Sequence, residues 1–578
     1  MSVKPYRELT LAAVLLGIIQ GVILNLAFVY AALKLGFSIG GSTVAAIMGY
    51  ALLKGVMGKG TSIENNINQT LASGINTAGT GVVFTLPAIF LLQAKNGGDV
   101  ADLSLWPYII AAIAGSVLGV VVIIPLRKQM IDIDRLRFPS GVAVTTIIRS
   151  GSAGMGKAKL LGFGFFLSAA WKLIMLSGLV EIPGVLEHEE LNFSMGILPN
   201  YVSPVLYLSM MNLAAGMLAG RGGLPFFVGG AVGWWLISPS VYHLGWVDQT
   251  SAASGLIYAK MLRPLGIGIL IGGALMGVVL TFPAIKGAVI SLANARKNAH
   301  GSEGQDELPI QVLVVGICMA MLLFFSASFV IPGVSFLQAV MVSLVGVVWL
   351  ALAALIVAQA TGMTDISPMS GMALITVTIV MFMLNNNIAG AMVVAVAVCV
   401  AIGQAADMMQ DLKTGFMLGG NPAKQQVVQF SCTWIGAVLS VGVLYILWQS
   451  GPGGQNGFGP DTPLPAPQAG VLMGIMESLS AGTIPTDKYL MGGAIGALLA
   501  AAPFSGLGVL IGLAMYLPFS ITLGYGIGCF IQMGIQKKYG VKFCEKKLVP
   551  FAAGLIIGEA IMGIGHAGWE ILKVNIGA

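Results

Sequence analysis

The sequence predicts an all-α polytopic membrane protein, and three observations support that prediction. Of 578 residues, 57% are hydrophobic and only 9% are charged, and the mean hydropathy is +0.90. Soluble domains carry about 25% charged residues, so this chain could not cover a water-facing surface of its own size. Long apolar runs recur along the chain, and 79 Gly and 25 Pro interrupt many of them. The predicted solvent is therefore the lipid bilayer.

The apolar runs have the length of membrane-spanning helices. A span needs about 20 residues, and the runs that reach or approach this length include 11–33, 109–126, 205–219, 311–330, 336–358, 388–406 and 427–448. We predict roughly 14 to 17 such segments. Lipid tolerates a helix broken by Pro or Gly only where protein or a water-filled cavity covers the freed backbone. Broken or re-entrant helices are therefore expected, although close helix packing accounts for most individual glycines.

One hydrophilic segment, 286–308, divides the chain into two halves. We predict a first transmembrane repeat over 1–285 and a second over 309–578. Segments 264–277 and 550–563 are identical at seven of fourteen positions, and "NNNIAG" from Asn385 is a weaker echo of "ENNINQT" from Glu64. Secondary transporters are often built from internal repeats, with the substrate bound where the repeats meet. Chance similarity between Gly-rich apolar segments is the alternative.

The segment "SIENNINQTLASG", 62–74, is a dense polar block between apolar runs. Residues four apart share a helix face, so Asn65, Gln69 and Ser73 would line up. Carboxamides both donate and accept hydrogen bonds and therefore suit peptide-like groups. We predict that Asn65, Asn66 and Gln69 bind substrate and that Glu64 takes part in proton coupling. The alternative is a solvated loop with a helix N-cap.

Acidic residues inside apolar segments are the second kind of candidate. Glu559 replaces, within the second copy of the repeated motif, the Gly273 of the first copy. An ionisable group costs at least about 2.5–3.5 kcal/mol at mid-bilayer and is retained only where a partner or water compensates. We predict that Glu559 carries a proton; a Glu that packs helices by bonding to a neighbour is the alternative.

The third candidate is the segment 408–426, "MMQDLKTGFMLGGNPAKQQ", where charged and amide residues concentrate. Asp407 and Asp411 are four residues apart and would share one helix face. We predict Asp411 as a third proton-coupling residue, and Gln425 and Gln426 as substrate-binding residues together with Asn386 and Asn387 of the "NNNIAG" segment. A cytoplasmic loop with solvated charges is the alternative.

The same segment resembles a known signature. "QDLKTGFMLGGNPAKQQ" is similar to the QDLKTG-x-LLGA-x-P-x-x-QQ pattern of the oligopeptide transporter (OPT) family, from which Phe416, Met417 and Gly420 depart mildly. Weaker matches follow in the family's order: "RELT", "ENNINQTLASG", "LRFPSGVA", "SPVLYLSMMNLAAG", "DISPMSGM" and "MYLPFSITLGYGIG". The chain therefore resembles a prokaryotic OPT member, related to the yellow-stripe-like branch.

The resemblance implies proton-coupled symport of short oligopeptides, or of metal complexes of small chelators, through roughly 16 spans in two repeated halves. We expect protons as the coupling ion and no other cofactor. Four scattered His and five Cys without paired spacing make a dedicated metal site unexpected. We also expect a multi-pass protein of the bacterial inner membrane that works within the lipid bilayer; a homodimer is left open.

Other function classes fit the residues less well. The net charge of +6 lacks a long basic tract and suits cytoplasmic loops better than nucleic acid. A membrane-embedded zinc protease would need H-E-x-x-H, which is absent from the sequence. We therefore do not expect an enzyme, and a passive channel remains an alternative to a carrier.

Overall fold

The computed structural model of this chain describes most of the sequence at residue level. The described residues are 8–36, 41–58, 60–149, 154–177, 185–186, 190–193, 198–203, 205–247, 253–280, 308, 310–364, 367, 369–451, 456–460, 462–481, 486–502 and 507–576. The predicted linker 286–308 lies outside this part of the chain except for Leu308.

Nearly all of the described chain is helical. The helices of the first half are α1 (Leu11–Leu35), α2 (Gly41–Tyr50), α3 (Ser62–Thr85), α4 (Pro87–Lys95), α5 (Trp106–Arg127), α6 (Pro139–Arg149), α7 (Gly154–Ser177), α8 (Met210–Ala219), α9 (Leu224–Ala231), α10 (Ser238–His243), α11 (Ala253–Ile257) and α12 (Arg263–Leu280). Those of the second half are α13 (Ile310–Phe329), α14 (Phe336–Thr364), α15 (Met369–Met383), α16 (Ile388–Leu418), α17 (Pro422–Gln449), α18 (Pro467–Ala481), α19 (Thr486–Ala500), α20 (Leu507–Tyr516), α21 (Phe519–Tyr539), α22 (Val541–Phe543) and α23 (Val549–Ile576).

Shorter elements join these helices. The described π-helical turns are Ala51–Val56, Lys128–Ile133, Val232–Ile237, Tyr258–Leu262 and Cys544–Leu548, and the 3₁₀ turns are Val100–Asp102, Asn200–Val202 and Gly220–Gly223. A small antiparallel sheet has the order β1 (Val185–Leu186), β2 (Glu190–Asn192) and β3 (Val205–Tyr207). The apolar run 205–219, read from sequence as one span, thus begins as a strand and becomes helical only at Met210.

The described residues contain 11 helices that are long and apolar enough to cross a membrane. The chain is therefore an all-α polytopic membrane protein, as the composition predicted, with only a minor sheet. All five cysteines are free thiols; Cys318 on α13 is exposed and the other four are buried.

The helices group into two compact units, and each unit draws on both halves of the sequence. Unit 1 comprises 1–29, 38–158 and 281–446, and unit 2 comprises 30–37, 159–280 and 447–578. Helix α1 contributes most of its length to unit 1 and its last turns to unit 2.

In unit 1, α3 and α16 are the central helices, and most residues of both are buried. Helix α16 packs against α3, α5, α6, α14 and α15. Glycines allow the closest of these approaches, because a Cβ at Gly115 or Gly119 of α5 would overlap the backbone carbonyl of Ala397 or Ala401 on α16. Such small-residue contacts let helices associate tightly in lipid, where the hydrophobic effect does not drive them together.

In unit 2, α12 packs against α19 and α20, while α8 packs against α21 and α23. Glycine is again the contact residue, since a Cβ at Gly272 of α12 would overlap the backbone of Gly493 on α19. On α23, Gly554 approaches the backbone of Leu161 on α7 in the same way.

The ends of α3 and α16 are fixed by local chemistry. Thr61 and Glu64 form a capping box at the start of α3, with each side chain accepting from the other residue's backbone N–H. Helix α16 ends at Leu418 and is followed by the C-cap Gly419, which adopts the left-handed conformation (φ 80°), and α17 begins at Pro422. Gly suits this C-cap because it has no Cβ to clash there, and Pro suits a first turn because it lacks an N–H.

Candidate functional site

The polar face of α3 meets α16 inside unit 1. Gln69 Nε2 donates a short hydrogen bond to Asp411 Oδ1. One turn further along, Ser73 Oγ lies 2.8 Å from Asp407 Oδ1 and 2.7 Å from Asp407 Oδ2. The spacing of four residues on each helix therefore produces two matched contacts between antiparallel helices.

A third helix brings a hydroxyl group to both carboxylates. Ser42, in the first turn of α2, lies 2.7 Å from Ser73 through their Oγ atoms. Ser42 also lies beside Asp407 and Asp411, and Thr77 lies beside Asp407. The two carboxylates thus share a hydroxyl neighbour.

Helix α17 closes the arrangement with amide side chains. Gln425 Nε2 donates to Thr70 Oγ1 at 2.9 Å and to the Asp411 backbone carbonyl at 3.0 Å. Nearby, Gln429 Nε2 donates to Gln404 Oε1 at 3.1 Å, and Gln404 Nε2 donates to the carbonyl of Gly74 at 2.7 Å. We call the set Ser42, Asn65, Asn66, Gln69, Ser73, Asp407, Asp411 and Gln425 the carboxylate–amide cluster.

Most of the cluster is buried, with Ser42 and Asp407 half-buried, yet several of its buried polar atoms lack a hydrogen-bond partner among the described residues. Asp411 is 1% exposed and Gln69 0%. The buried atoms without a partner in and beside the cluster are Asn65 Oδ1, Asn66 Oδ1 and Nδ2, Gln69 Oε1, Asp411 Oδ2, Gln425 Oε1, Gln426 Nε2 and Gln429 Oε1. Buried polar groups are normally satisfied, so a concentration of such atoms calls for an explanation.

No ion pair balances the two carboxylates within the described part of the chain. The nearest lysines in sequence have other neighbours. Lys413 Nζ lies 5.7 Å from the centroid of the Phe416 ring, and Lys424 pairs with Glu8 at 3.4 Å. The charges that the sequence concentrates in 408–426 therefore separate in space, with Asp411 inside and both lysines at more open positions.

The predicted site residues fall into two groups. The structure brings Gln69, Asp411 and Gln425 into contact, and Asn65 and Asn66 lie one helical turn from Gln69 on α3. Gln426 lies beside Gln425 with its Oε1 accepting from Leu308 N at 3.4 Å. Glu64 lies at the helix cap, where its Oε2 accepts from Thr61 N at 2.8 Å.

Asn386 and Asn387 are not in the cluster. Asn386 is an exposed turn residue with φ 63°. Asn387 caps the start of α16 by accepting from Gly390 N at 2.9 Å. This end of α16 lies roughly 36 Å from Asp411 along the helix axis, at about 1.5 Å per residue.

Glu559 lies in a separate site within unit 2. Its Oε1 accepts from Lys34 Nζ at 2.6 Å and from Ser209 Oγ at 2.7 Å, and its Oε2 accepts from Met211 N at 2.8 Å. Lys34 is 0% and Glu559 1% exposed. The carboxylate thus sits at the N-terminus of α8, where helix dipole and backbone donors favour a negative charge.

Several functional candidates were not found from sequence. Lys34 is the cation opposite Glu559, and its Nζ also lies 4.3 Å from the centroid of the Tyr207 ring. A lone Lys in the last turn of an apolar helix usually marks the membrane interface, so its sequence signal was ambiguous. Ser42 gave no signal, because a Ser at a helix start is ordinarily a capping residue.

The described part of the chain contains no group of three or more His, Cys, Asp or Glu side chains that could hold a metal ion. The cluster offers carboxylates, hydroxyls and amides instead. Such groups bind protons, ammonium groups and peptide bonds by hydrogen bonding.

These features define a polytopic membrane protein with polar sites buried among its helices. The chain belongs to the oligopeptide transporter family, since the profile of the family described as "OPT oligopeptide transporter protein" matches residues 8–569. The protein is therefore a transporter of the OPT family, and the resemblance seen in 410–426 extends over nearly the whole chain.

Individual relatives agree with this assignment. A Haemophilus influenzae protein named "Putative oligopeptide transporter" is 26% identical, over 93% of this chain and 91% of the relative. An Arabidopsis thaliana protein named "Probable metal-nicotianamine transporter YSL6" is 23% identical, over 82% of this chain and 76% of the relative. A second Arabidopsis thaliana protein, "Probable metal-nicotianamine transporter YSL4", is 23% identical, over 83% of this chain and 78% of the relative.

Proposed function

We propose that this chain is a secondary active transporter that carries short peptides across a bacterial inner membrane together with protons. The observation that supports this most directly is the pair Asp407 and Asp411 on one face of α16, where Asp411 is buried, Asp407 is half-buried and neither has an ion pair among the described residues. A buried charge of this kind is costly unless a proton or a cationic partner neutralises it. Loading of the site would therefore depend on both proton and cargo.

Asp411 suits the role of proton carrier best among the three predicted carboxylates. One of its oxygens is held by Gln69, and the other has no partner among the described residues. Glu559 already has Lys34 as its counter-charge, and Glu64 is engaged in the capping box. Protonation of Glu559 would have to break a buried ion pair, and protonation of Glu64 would disturb a helix end.

Amide groups around Asp411 support a peptide-like cargo. Gln69 and Gln425 hydrogen-bond to Asp411, and Asn65 and Asn66 are buried one turn away on α3. A carboxamide can pair with a peptide bond as both donor and acceptor. Gln426 lies beside them. Under this proposal Asn386 and Asn387 would contact cargo only at the other end of α16.

Metal-chelate transport is the second candidate function, because two of the similar plant proteins carry names of metal-nicotianamine transporters. A chelate brings its own metal ligands, so a site without His or Cys clusters can accept it. A passive channel is a third, weaker reading.

We also propose the finer architecture of roughly 16 spans in two repeated halves. Helices α12 and α23, which carry the repeated motif, each follow directly after a π-helical turn, Tyr258–Leu262 and Cys544–Leu548. Each also packs against a helix of ten residues, α12 against α20 and α23 against α8. If the two halves arose by duplication, α12 and α23 are expected to have equivalent neighbouring elements, as these are.

Reconstitution into liposomes tests the function. An inward proton gradient should drive labelled di- to hexapeptides above equilibrium, and a protonophore should abolish this accumulation. Asp411→Asn should lose gradient-driven accumulation but retain exchange of peptide across the membrane, because exchange needs no net proton movement. Ferric and nickel chelates, assayed in parallel, distinguish the second candidate.

Three outcomes would contradict the proposal. Uptake indifferent to the gradient would remove proton coupling. Saturable uptake of chelates but not of peptides would favour the second candidate. Single-channel current without saturation would favour a channel.

A further inference from the structure

The hydrogen bonds of the carboxylate–amide cluster fix the direction in which its amides point. Asn65 Nδ2 donates to the Ala46 carbonyl at 2.9 Å, and Gln425 Nε2 donates to the Asp411 carbonyl at 3.0 Å. Gln69 Nε2 donates to the Asp411 carboxylate. Each NH₂ group faces an oxygen that can only accept, so turning the amide over would place two acceptors together.

The polar atoms of the cluster that have no hydrogen-bond partner are therefore mostly oxygen atoms. Gln69 Oε1 and Asp411 Oδ2 are buried without a partner among the described residues. Asn65 Oδ1 and Gln425 Oε1 are unpaired as well, but they lie against Gly49 and Gly415, where a Cβ would overlap them. The unpaired donor of the cluster is Asn66 Nδ2. With two carboxylates in addition, the cluster has an excess of acceptors and a net negative charge.

We infer that the carboxylate–amide cluster is a subsite for a primary ammonium group, the free amino end of a peptide. This inference rests on the proposed peptide transport and specifies its cargo. A primary ammonium carries one positive charge and three donors with no acceptor, as in lysine, and so complements an acceptor-rich site. Its hydrogen bonds to carboxylates are charge-assisted and roughly twice as strong as neutral ones.

Charge balance connects this subsite to the proton. Asp407 and Asp411 together carry two negative charges when both are ionised. One ammonium and one proton neutralise them, and a neutral cluster is the state that low-dielectric surroundings favour. The expected coupling is therefore one proton for each ammonium group bound.

The same chemistry distinguishes the two cargo classes. A chelator whose carboxylates face outward presents acceptors and negative charge, and it would meet like groups in this cluster. Peptides with a free amino end present donors and positive charge. The cluster therefore favours the peptide over the carboxylate-rich chelate.

The experiment compares dialanine, N-acetyl-dialanine and dialanine amide as ligands of the full-length purified protein, with binding measured by calorimetry. Acetylation removes the charge and two of the three donors, so affinity should fall about 10- to 100-fold. Amidation changes only the carboxyl end and should preserve the preference for a free amino end. A proton-uptake measurement on binding dialanine should give about one proton per peptide, as the neutral cluster requires.

Variants of the two carboxylates test whether the preference for a free amino end depends on them. Asp411→Asn should remove most of the difference between dialanine and its acetylated form, and Asp407→Asn should do the same if Asp411→Asn does not fold. Asp487→Asn is the matched control, because Asp487 is an exposed carboxylate of α19 paired with Lys488. It should retain the wild-type preference.

The outcomes separate the inference from the function on which it rests. If neither dialanine nor dialanine amide binds, peptide transport itself fails. Equal binding of free and acetylated dialanine overturns the ammonium subsite while leaving peptide transport in place. A preference that requires Na⁺ and vanishes when K⁺ replaces it would assign the cluster to an inorganic cation and also overturn the inference, as would tighter binding of a ferric chelate.

Discussion

At the residue scale, the Lys34–Glu559 contact shows how a membrane protein keeps charges inside. Each partner is almost completely buried, and the carboxylate is further held by Ser209 and by the backbone of Met211. Burial of a paired charge is tolerable when its hydrogen bonds are complete, whereas an isolated buried charge is not. Loss of one partner should therefore cost much more than loss of both.

Glu559→Gln should destabilise the protein by about 3–5 kcal/mol, because it leaves the Lys34 ammonium buried without its counter-charge. The double variant Lys34→Met with Glu559→Gln should recover part of that loss, because Lys172, a second buried lysine whose charge acts on Glu559, still lacks this carboxylate. Thermal unfolding in detergent, followed by tryptophan fluorescence, measures both. A single variant as stable as wild type would show that the pair does not hold unit 2 together.

Glu64→Gln separates capping from coupling. Gln can replace Glu at the third position of a capping box, so stability should change by less than about 0.5 kcal/mol. Proton-driven peptide accumulation should also persist, because the structure gives Glu64 a helix-end contact. Loss of accumulation in a stable Glu64→Gln protein would return Glu64 to the coupling machinery.

At the element scale, the sequence predicted which helices exist better than how they end or meet. Apolar length was sufficient to identify α1, α5, α13, α14 and α16, because lipid demands long apolar runs. The spacing of Asp407 and Asp411 predicted a shared face on α16. It could not predict that Gln69 and Ser73 of α3 would face them, since partner choice depends on contacts between distant segments.

Helix ends were harder to read for a related reason. Asn387 and Glu64 were polar residues beside apolar runs, which suits a binding site and a helix cap equally well. In the structure both are capping residues. The run 205–219 was apolar throughout, and nothing in its composition showed that its first residues pair with β2.

Gly119→Ala tests the close approach of α5 and α16. A Cβ at Gly119 would overlap the Ala401 carbonyl, so the variant should lose about 1–3 kcal/mol through strain. Gly162→Ala on α7 is the matched control, since a Cβ there meets nothing within 4 Å. It should gain up to about 1 kcal/mol, because Ala favours helix more than Gly. Equal thermal stability of the two variants would contradict this view of the interface.

At the scale of the whole molecule, both compact units are assembled from both halves of the chain. Within unit 1, the polar face of α3 from the first half finds its carboxylate partners on α16 from the second half. A half on its own would expose these polar groups to lipid, where unsatisfied groups cost several kcal/mol each.

Residues 1–285 or 309–578 expressed alone should therefore fail to yield a monodisperse protein. Co-expression of the two should restore a complex, because the break lies in the hydrophilic segment 286–308. Fluorescence-detected size-exclusion chromatography of tagged halves measures this. A half that is monodisperse and thermally stable by itself would show that it folds independently.

The exposed thiol of Cys318 has a practical consequence. It lies within α13, an apolar helix long enough to cross the membrane, while the other four cysteines are buried. In a bilayer this sulfur should face acyl chains, so an uncharged, lipid-permeant alkylating reagent should modify it once per chain while a permanently charged one should leave it intact. A native cysteine thereby reports, without any engineering, whether α13 borders lipid.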